Sequence, residues 1–558
     1  MAVFPPADGS AASHTTFFVA ANDPKVLSVM ISTIQALQPE AEVLPLPEIS
    51  SSESKAGLLE EEARPYWIVF CYLAPTSTGA AHPSTGGLEA TVVLQAPDGT
   101  TRQERLVDED ITDPRYTEED RLRRRKELVR LGVRRVITEA MGLVPSPWGI
   151  LVGVRPTKLV HRLLEKGFIP EEIVSDLQKH HGLEEEKARL VTEVSLRQRK
   201  FLPDAKTALR RVSIYVGIPF CPTRCAYCSF AAYPLREFGH LVPPYLEALF
   251  YEIREVGRWL QGSELEVESL YIGGGTPTVL SGVHLARLFE AVDKYLRPGR
   301  RSKRFSGGSG LSTRGSGHSA KDSLVEYTVE AGRPETLTGE KTRLLKEAGV
   351  DRVSINPQSM HDTTLERIGR RHSVADIYRA FALAREAGFA VINMDTIVGL
   401  PGESLADVEK TFAKIRELAP ENLTVHSLAV KRASTLRAEL SKEEIMQAKE
   451  AEAMVEAGRV AAGEMGMIPY YLYRQRHIFG NLENVGYARP GAESVYNIQM
   501  MEERQTIIAL GAGGITKLVA PGDWRVERVA NPKCPSMYAD GIAASTLEKV
   551  ARLDLHFQ

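Results

Sequence analysis

Cysteine is scarce in this chain: there are five among 558 residues, and Cys71 and Cys534 stand alone. Five cysteines so placed make no disulfide framework, so a reduced, cytoplasmic protein is expected. Charge of either sign is not in excess. The net value of −3 gives no field that would gather nucleic acid or an anionic membrane, and neither partner is expected. No apolar run reaches the length of a membrane span. The opening MAVFPPADGSAASHTTFF has no basic stretch leading into an apolar one, so no secretory signal is expected. No solenoid-type repeat recurs along the chain. What is present is an ordinary soluble balance, 43% apolar and 25% charged, with material for a sizeable core. A chain of this length predicts about two or three domains.

Three of the five cysteines, Cys221, Cys225 and Cys228, fall together in YVGIPFCPTRCAYCSF. Structural thiols brought together by chance are the plainest reading. Zinc would want a fourth ligand and usually two paired knuckles, but no second Cys pair exists and the nearest downstream histidine is His240. A cubane iron–sulfur cluster also wants four ligands, and CxxxCxxC supplies three. One iron is then left open, as a catalytic metal site requires, and it can chelate the amino and carboxylate groups of S-adenosylmethionine.

The surrounding pattern is α/β. From just before the cysteines onward come the short apolar runs VSIYVGI, VESLYIGGG, VEYTVEAG, DRVSINPQS, VINMDTIVGLP and NLTVHSLAV, separated by amphipathic stretches such as PPYLEALFYEIREVGRWL and LADVEKTFAKIRELA. Six strand–helix units predict parallel strands in a partial (β/α)6 barrel. In such a barrel the site gathers at the C-terminal strand ends. The cysteines, Gly273–Gly275, Glu330, Gln358, Asp395 and His426 all fall at or near those ends. A run of glycines commonly marks only a turn, but GGGTPT directly follows a strand and precedes a helix, where missing side chains let backbone approach a ligand. Glu330 and Asp395 interrupt apolar strands, so internal ion pairs or cofactor hydroxyls and amines must satisfy them.

The cysteine spacing resembles the radical S-adenosylmethionine signature. From about Arg210 to Lys517, the segments IYVGIPFC, GGGTPT, VEAGRPETL, RVSINPQSM and NMDTIVGLPGE resemble, in order, the oxygen-independent coproporphyrinogen III oxidases. The later YYLYRQRHIFGNLENVGYARPGAE is most similar to the coproporphyrinogen dehydrogenase branch, which carries an extra N-terminal region. The resemblance implies a [4Fe–4S] cluster on Cys221, Cys225 and Cys228 and one or two S-adenosylmethionine molecules. By position, the first would touch Tyr215, Gly274 and Glu330, with Tyr215 in a catalytic role. The second would touch Tyr227, Gly275, Thr276, Gln358, Arg370, Asp395 and Ala429. A 5′-deoxyadenosyl radical would then drive oxidative decarboxylation of two propionates, giving protoporphyrinogen IX. The partners implied are a porphyrinogen or haem-type substrate and a low-potential donor of flavodoxin or ferredoxin type. In YYLYRQRH, Arg474 and Arg476 are the candidates for substrate carboxylates, with Tyr471 and Tyr473 beside a tetrapyrrole; a half-buried amphipathic strand is the alternative.

Three positions depart from the family pattern. Gly217 and Phe230 stand where the well-studied oxidases carry His and an additional Cys. Haem chaperones share the Phe but carry an HNxxYW signature, and here the corresponding stretch is YNIQMM, with Tyr496 at the His position. A non-catalytic haem-transfer protein retaining the cluster, or a radical enzyme acting on haem, are therefore the alternatives.

Outside the barrel, residues 1–110 predict a small α+β domain and 111–205 a helical region whose Arg-rich face is read as solvated. The barrel is placed at 206–435, and a substrate-proximal accessory region at 436–558. Residues 299–323, GRRSKRFSGGSGLSTRGSGHSAKDS, read as a disordered, dispensable insertion.

Overall fold

The structure, a computed structural model, describes residues 15–45, 66–75, 87–151, 153, 155–297, 324–429, 448–475 and 478–558. The insertion expected at 299–323 lies outside the described residues, as does Arg476. Two compact units are present: one of residues 1–152 and 158–192, the other of 153–157 and 193–558.

The first unit is built on a five-stranded sheet of order β2-β1-β3-β4-β5. Its strands are β1 (Thr16–Ala21), β2 (Glu42–Pro45), β3 (Trp67–Pro75), β4 (Leu88–Gln95) and β5 (Thr101–Asp108). β1 runs parallel to β2 and β3, and β3, β4 and β5 form an antiparallel meander. Helices α1 (Pro24–Leu37) and α2 (Glu118–Ala140) bury Met30, Ile34, Val129, Val133 and Ile137 against Phe17, Val19, Val69 and Val92. Helix α2, expected to open a separate helical region, thus shares the core of the sheet. Thr117 and Asp120 start it with a reciprocal capping box.

The second unit carries an eleven-stranded sheet. Six runs read from the sequence are its parallel centre: β6 (Arg211–Ile218), β9 (Glu266–Gly274), β10 (Glu326–Glu330), β11 (Arg352–Ser354), β12 (Val391–Val398) and β13 (Asn422–Ser427). Two short strands, β7 (Phe220–Cys221) and β8 (Tyr233–Pro234), pair between the first two. Helices α3 (Val242–Gly262), α4 (Gly282–Tyr295), α5 (Gly339–Glu347), α6 (Val374–Glu386), α7 (Leu405–Leu418) and α8 (Ala448–Glu464) follow the six strands in turn. Their starts are capped where the sequence places Ser or Thr: Ser281, Thr338, Ser373 and Ser404 each accept a bond from an N–H of the first turn. This is the expected partial barrel. β12 shows how its two faces are specified: Ile392, Met394 and Val398 are buried, while Asp395 and Ile397, on the alternate face, line a cavity.

Both edges of the barrel are extended. β13 pairs antiparallel with β15 (Asn484–Ala488), and β15 with β14 (Ile468–Tyr473). At the other edge β16 (Thr506–Leu510) lies parallel to β6, followed by antiparallel β17 (Ile515–Val519) and β18 (Val526–Ala530). Helix α9 (Pro535–Phe557) closes the chain against α3. Its Lys549 and the Glu252 of α3, both fully buried, form an ion pair that Tyr538, Asn531 and the Gly511 amide complete. No described helix is long and apolar enough to cross a membrane.

Candidate active site

The cysteine loop leaves β6 at Ile218 and is tied at both ends. Tyr233 N donates to Pro219 O (2.9 Å), and Cys228 N to Cys225 O (3.0 Å). Ala226 N and Thr223 Oγ1 reach Ile368 O and Gly369 O, each at 2.9 Å, so the loop is laced to the turn before Arg370. Cys221 is buried and Cys225 and Cys228 half-buried, and all three line one cavity of about 380 Å³. Burial pushes the Cys221 thiol up to about 11 and raises Cys228 as well. In the metal-free protein these two thiols are therefore protonated near neutrality, and a metal must displace their protons.

The glycines of GGGTPT serve this loop directly. A Cβ on Gly275 would stand 2.5 Å from Phe220 O, 2.9 Å from Ile218 O and 3.0 Å from Cys221 Sγ. One on Gly273 would meet the Tyr271 ring and the Glu330 carboxylate at 2.7 and 2.8 Å. Gly274 has a φ of 110°, which a side chain would strain, and its N–H donates to Glu330 Oε2 (3.1 Å). Thr276 Oγ1 lies 3.5 Å from Cys221 Sγ.

Glu330 ends β10 inside the cavity, where Tyr271 Oη donates to its Oε1 at 2.7 Å. Burial pushes this carboxyl up to about 7, with Asp395 adding to the rise against the bonds from Tyr271 and Gly274. Asp395 behaves oppositely. Burial drives it upward, but His426 and Asn393 hold it below the usual carboxylate range. Asn393 Nδ2 donates to its Oδ1 (2.8 Å), and His426 Nε2 lies 3.8 Å from its Oδ2. On the other side of that ring, His426 Nδ1 is hydrogen-bonded to Tyr473 Oη (3.1 Å). Two carboxylates in one cavity are thus set apart by their surroundings, one able to exchange a proton near neutrality and one fixed as an anion.

Tyr215, Tyr227, Gly274, Gly275, Thr276, Glu330, Gln358, Arg370, Asp395 and Ala429 all line the same cavity as the cysteines. Arg474 does not. Its buried guanidinium donates to Asn481 O, Asn481 Oδ1 and Leu482 O, and so shapes the β14–β15 turn. Residues the sequence had not marked as site members also line the cavity, among them Arg333, Asn356, Gln475 and Asn484. Tyr473 does so as well, whereas Tyr471, expected beside it at the substrate, is buried and hydrogen-bonded to Thr424 Oγ1. Arg333 was legible in principle: it sits three residues past Glu330, in the same strand-end segment. Outside the cavity, the cluster Asp108, Asp110 and His180 has metal-ligand types, but Arg124 and Lys179 already occupy its carboxylates.

Several buried polar atoms at the site have no protein partner: Gln358 Oε1, and the Nε atoms of Arg370 and Arg333. Gln358 also holds a φ of 66°, a left-handed conformation that is costly for a residue with a side chain. Orphaned donors and an acceptor, a strained residue and three converging thiols fit a polar cofactor bound over a thiolate-held cluster.

These features define a radical S-adenosylmethionine protein, and the model of that superfamily matches residues 215–415. The oxygen-independent coproporphyrinogen-III oxidase-like protein HemZ of Bacillus subtilis is 39% identical over 415 residues, covering 74% of this chain and 78% of that protein. The chain belongs to this family of oxygen-independent coproporphyrinogen-III oxidase-like proteins. The heme chaperone HemW of Bacillus subtilis is 31% identical over 345 residues, covering 61% of this chain and 80% of its own. Among solved structures, the coproporphyrinogen III oxidase HemN of Escherichia coli matches with a TM-score of 0.47 and 20% identity, over 61% of this chain and 72% of that one.

Proposed function

We propose that this protein is an oxygen-independent coproporphyrinogen III oxidase of the dehydrogenase type, which converts two propionates of its substrate to vinyl groups. The observation that carries the reading is the single cavity: the three thiols, the Gly274–Glu330 rim and the Asp395–His426–Tyr473 chain all open into it. A [4Fe–4S] cluster with S-adenosylmethionine supplies, when bound, the radical that takes a hydrogen atom from the propionate β-carbon. Loss of CO2 and of one electron to an acceptor then leaves the vinyl group. Cys221, Cys225 and Cys228 would hold the cluster, and Glu330, once ionised, would accept hydrogen bonds from hydroxyls or amines of the cofactor. Gln358 and Arg370 offer their unpartnered Oε1 and Nε to polar groups of a cofactor, and Tyr227, Gly275, Thr276, Asp395 and Ala429 complete the place for a second one. The walls exclude water on the β12–β13 side with Ile397 and Leu428.

Kinship to the heme chaperones makes a carrier the competing reading. Against it stands Tyr496, at the position of the chaperones' signature His. Its ring lies 4.4 Å from that of Tyr271 and 6.2 Å from that of Tyr215, within a buried aromatic stack. The deciding experiment is anaerobic incubation of the reconstituted protein with coproporphyrinogen III, S-adenosylmethionine and a flavodoxin, ferredoxin or dithionite reductant. Protoporphyrinogen IX, two CO2 lighter per molecule, is the expected product. Unchanged porphyrinogen with tight haem binding would overturn the reading in favour of the carrier.

A further inference from the structure

Arg333 follows β10 and is buried at the edge of the cysteine loop, 2% exposed. Its Nη1 lies 3.7 Å from Cys225 Sγ and donates to Thr223 O (3.2 Å), and its Nη2 donates to Thr223 Oγ1 (3.0 Å). The other side of the guanidinium meets Glu335, Nη2 to Oε1 at 2.7 Å, and Glu335 Oε2 lies 2.9 Å from His372 Nδ1. Outward from the thiol the groups are therefore a guanidinium, a carboxylate and an imidazole whose pKa burial lowers. Arg370 also faces Cys225 and is hydrogen-bonded to it, while its terminal nitrogens donate to the carbonyls of Asn356, Pro357 and Gly332. Arg333 thus gives Cys225 a charged N–H donor from outside the set of expected cofactor contacts.

We propose that Arg333 sets the reduction potential of a cluster held at Cys225, raising it, with Glu335 as the counter-charge that limits the rise; this rests on reading the three thiols as cluster ligands. A cluster gains one unit of negative charge when it accepts an electron from its low-potential donor. An N–H donor to a ligating sulfur and a nearby positive charge stabilise that reduced state and move the potential upward. Low local dielectric makes the effect larger than in water. Glu335 is well placed to oppose it. Burial pushes this carboxyl up, but His372 and Arg333 hold it down at about 2, so it is an anion throughout the physiological range. A staple that merely fixed the loop would account for the bonds to Thr223, yet it would not make Arg333 and Glu335 act with opposite sign.

That sign is the test. Iron content is measured first on anaerobically reconstituted full-length protein, and the cluster is then titrated with dithionite against an electron-paramagnetic-resonance readout of the reduced state. At the wild-type midpoint, Arg333→Gln is expected to lower the reduced-to-oxidised ratio about tenfold, which is about 59 mV more negative for one electron. Arg333→Lys keeps the charge and should recover most of that loss. Glu335→Gln should raise the ratio instead. Unchanged midpoints, or shifts of the same sign in Arg333→Gln and Glu335→Gln, would overturn the proposal. If Arg333→Gln fails to hold iron, the direction of the Glu335→Gln shift decides alone. A wild-type protein that binds no iron would defeat the cluster reading, an outcome separate from both.

Discussion

Tyr215 leans its ring over Gly217, so a Cβ built on the glycine would stand 3.3 Å from Tyr215 Cε1. It would also meet Ala512 O at 3.4 Å, and Gly217 O is already taken by the Tyr245 hydroxyl. A side chain at Gly217 would press on a tyrosine ring that stacks with Tyr271 and Tyr496. Placing a histidine there should therefore harm this protein. Gly217→His is expected to keep its iron but lose at least about tenfold in S-adenosylmethionine cleavage, roughly 1.4 kcal/mol in the barrier. Reductive cleavage assayed by 5′-deoxyadenosine release checks this; a gain in turnover would contradict it.

Gly275 is the glycine on which the cysteine loop rests. Gly275→Ala places a methyl group 2.5 Å from Phe220 O and 3.0 Å from Cys221 Sγ, and backbone cannot yield as a flexible side chain would. Iron per chain after reconstitution is expected to fall as it does in Cys221→Ala, Cys225→Ala or Cys228→Ala, whereas Cys71→Ser and Cys534→Ser should retain about four irons. Iron and sulfide analysis of the set measures it, and a full cluster in Gly275→Ala would show that the loop has room to spare.

Glu330 predicts a pH dependence. Pushed up to about 7 by burial, it is protonated in the ligand-free protein on the acid side of neutrality. On the proposed reading the ionised form accepts hydrogen bonds from the cofactor, so below pH 7 binding must expel a proton from Glu330 and weakens by up to about tenfold for each unit on that account. Affinity for S-adenosylmethionine should therefore fall more steeply below about pH 7 in the wild type than in Glu330→Gln, which should bind more weakly. Calorimetry across neutrality reads both. The same shift acts on stability with the opposite slope: protonated Glu330 favours the ligand-free fold at acid pH. That contribution fades as pH rises from about 4.3 to about 7.

The Lys549–Glu252 pair joins the last helix to the barrel beneath the Gly511 turn. Burial raises Glu252, yet Lys549 and Tyr538 keep it ionised and below its ordinary value. Lys549→Ala leaves that anion uncompensated in a dry interior and should cost roughly 3–5 kcal/mol, read by urea unfolding of the second unit. Replacing both partners with apolar residues should cost far less.

Much of this was legible in the sequence, for reasons of chemistry. All six parallel strands of the barrel carry near-continuous or alternating apolar runs, and the cavity-lining residues sit at strand ends where polarity interrupts them. β5, TRQERLVD, was not legible because its exposed face is polar along most of its length. β14 was read only as the alternative, a half-buried strand, and β15 was not marked, because their tyrosines are buried by cross-strand packing rather than by an alternating pattern. Tyr471 lies against Gly486, where a Cβ would stand 1.8 Å from its ring. Arg474 read as a substrate ligand because arginine beside tyrosine suits a carboxylate. Its three bonds to Asn481 and Leu482 are set by a turn that spacing alone does not reveal. Likewise nothing in the sequence spacing places Tyr473 on His426.

The most direct test of the account is isotopic. Coproporphyrinogen III carrying deuterium at the β-carbons of its propionates is incubated anaerobically with reduced, cluster-loaded protein and unlabelled S-adenosylmethionine, and the 5′-deoxyadenosine is analysed by mass spectrometry. The account predicts 5′-deoxyadenosine bearing one deuterium, together with a porphyrinogen that has lost CO2 and gained vinyl groups. Unlabelled 5′-deoxyadenosine with the porphyrinogen recovered intact would contradict it.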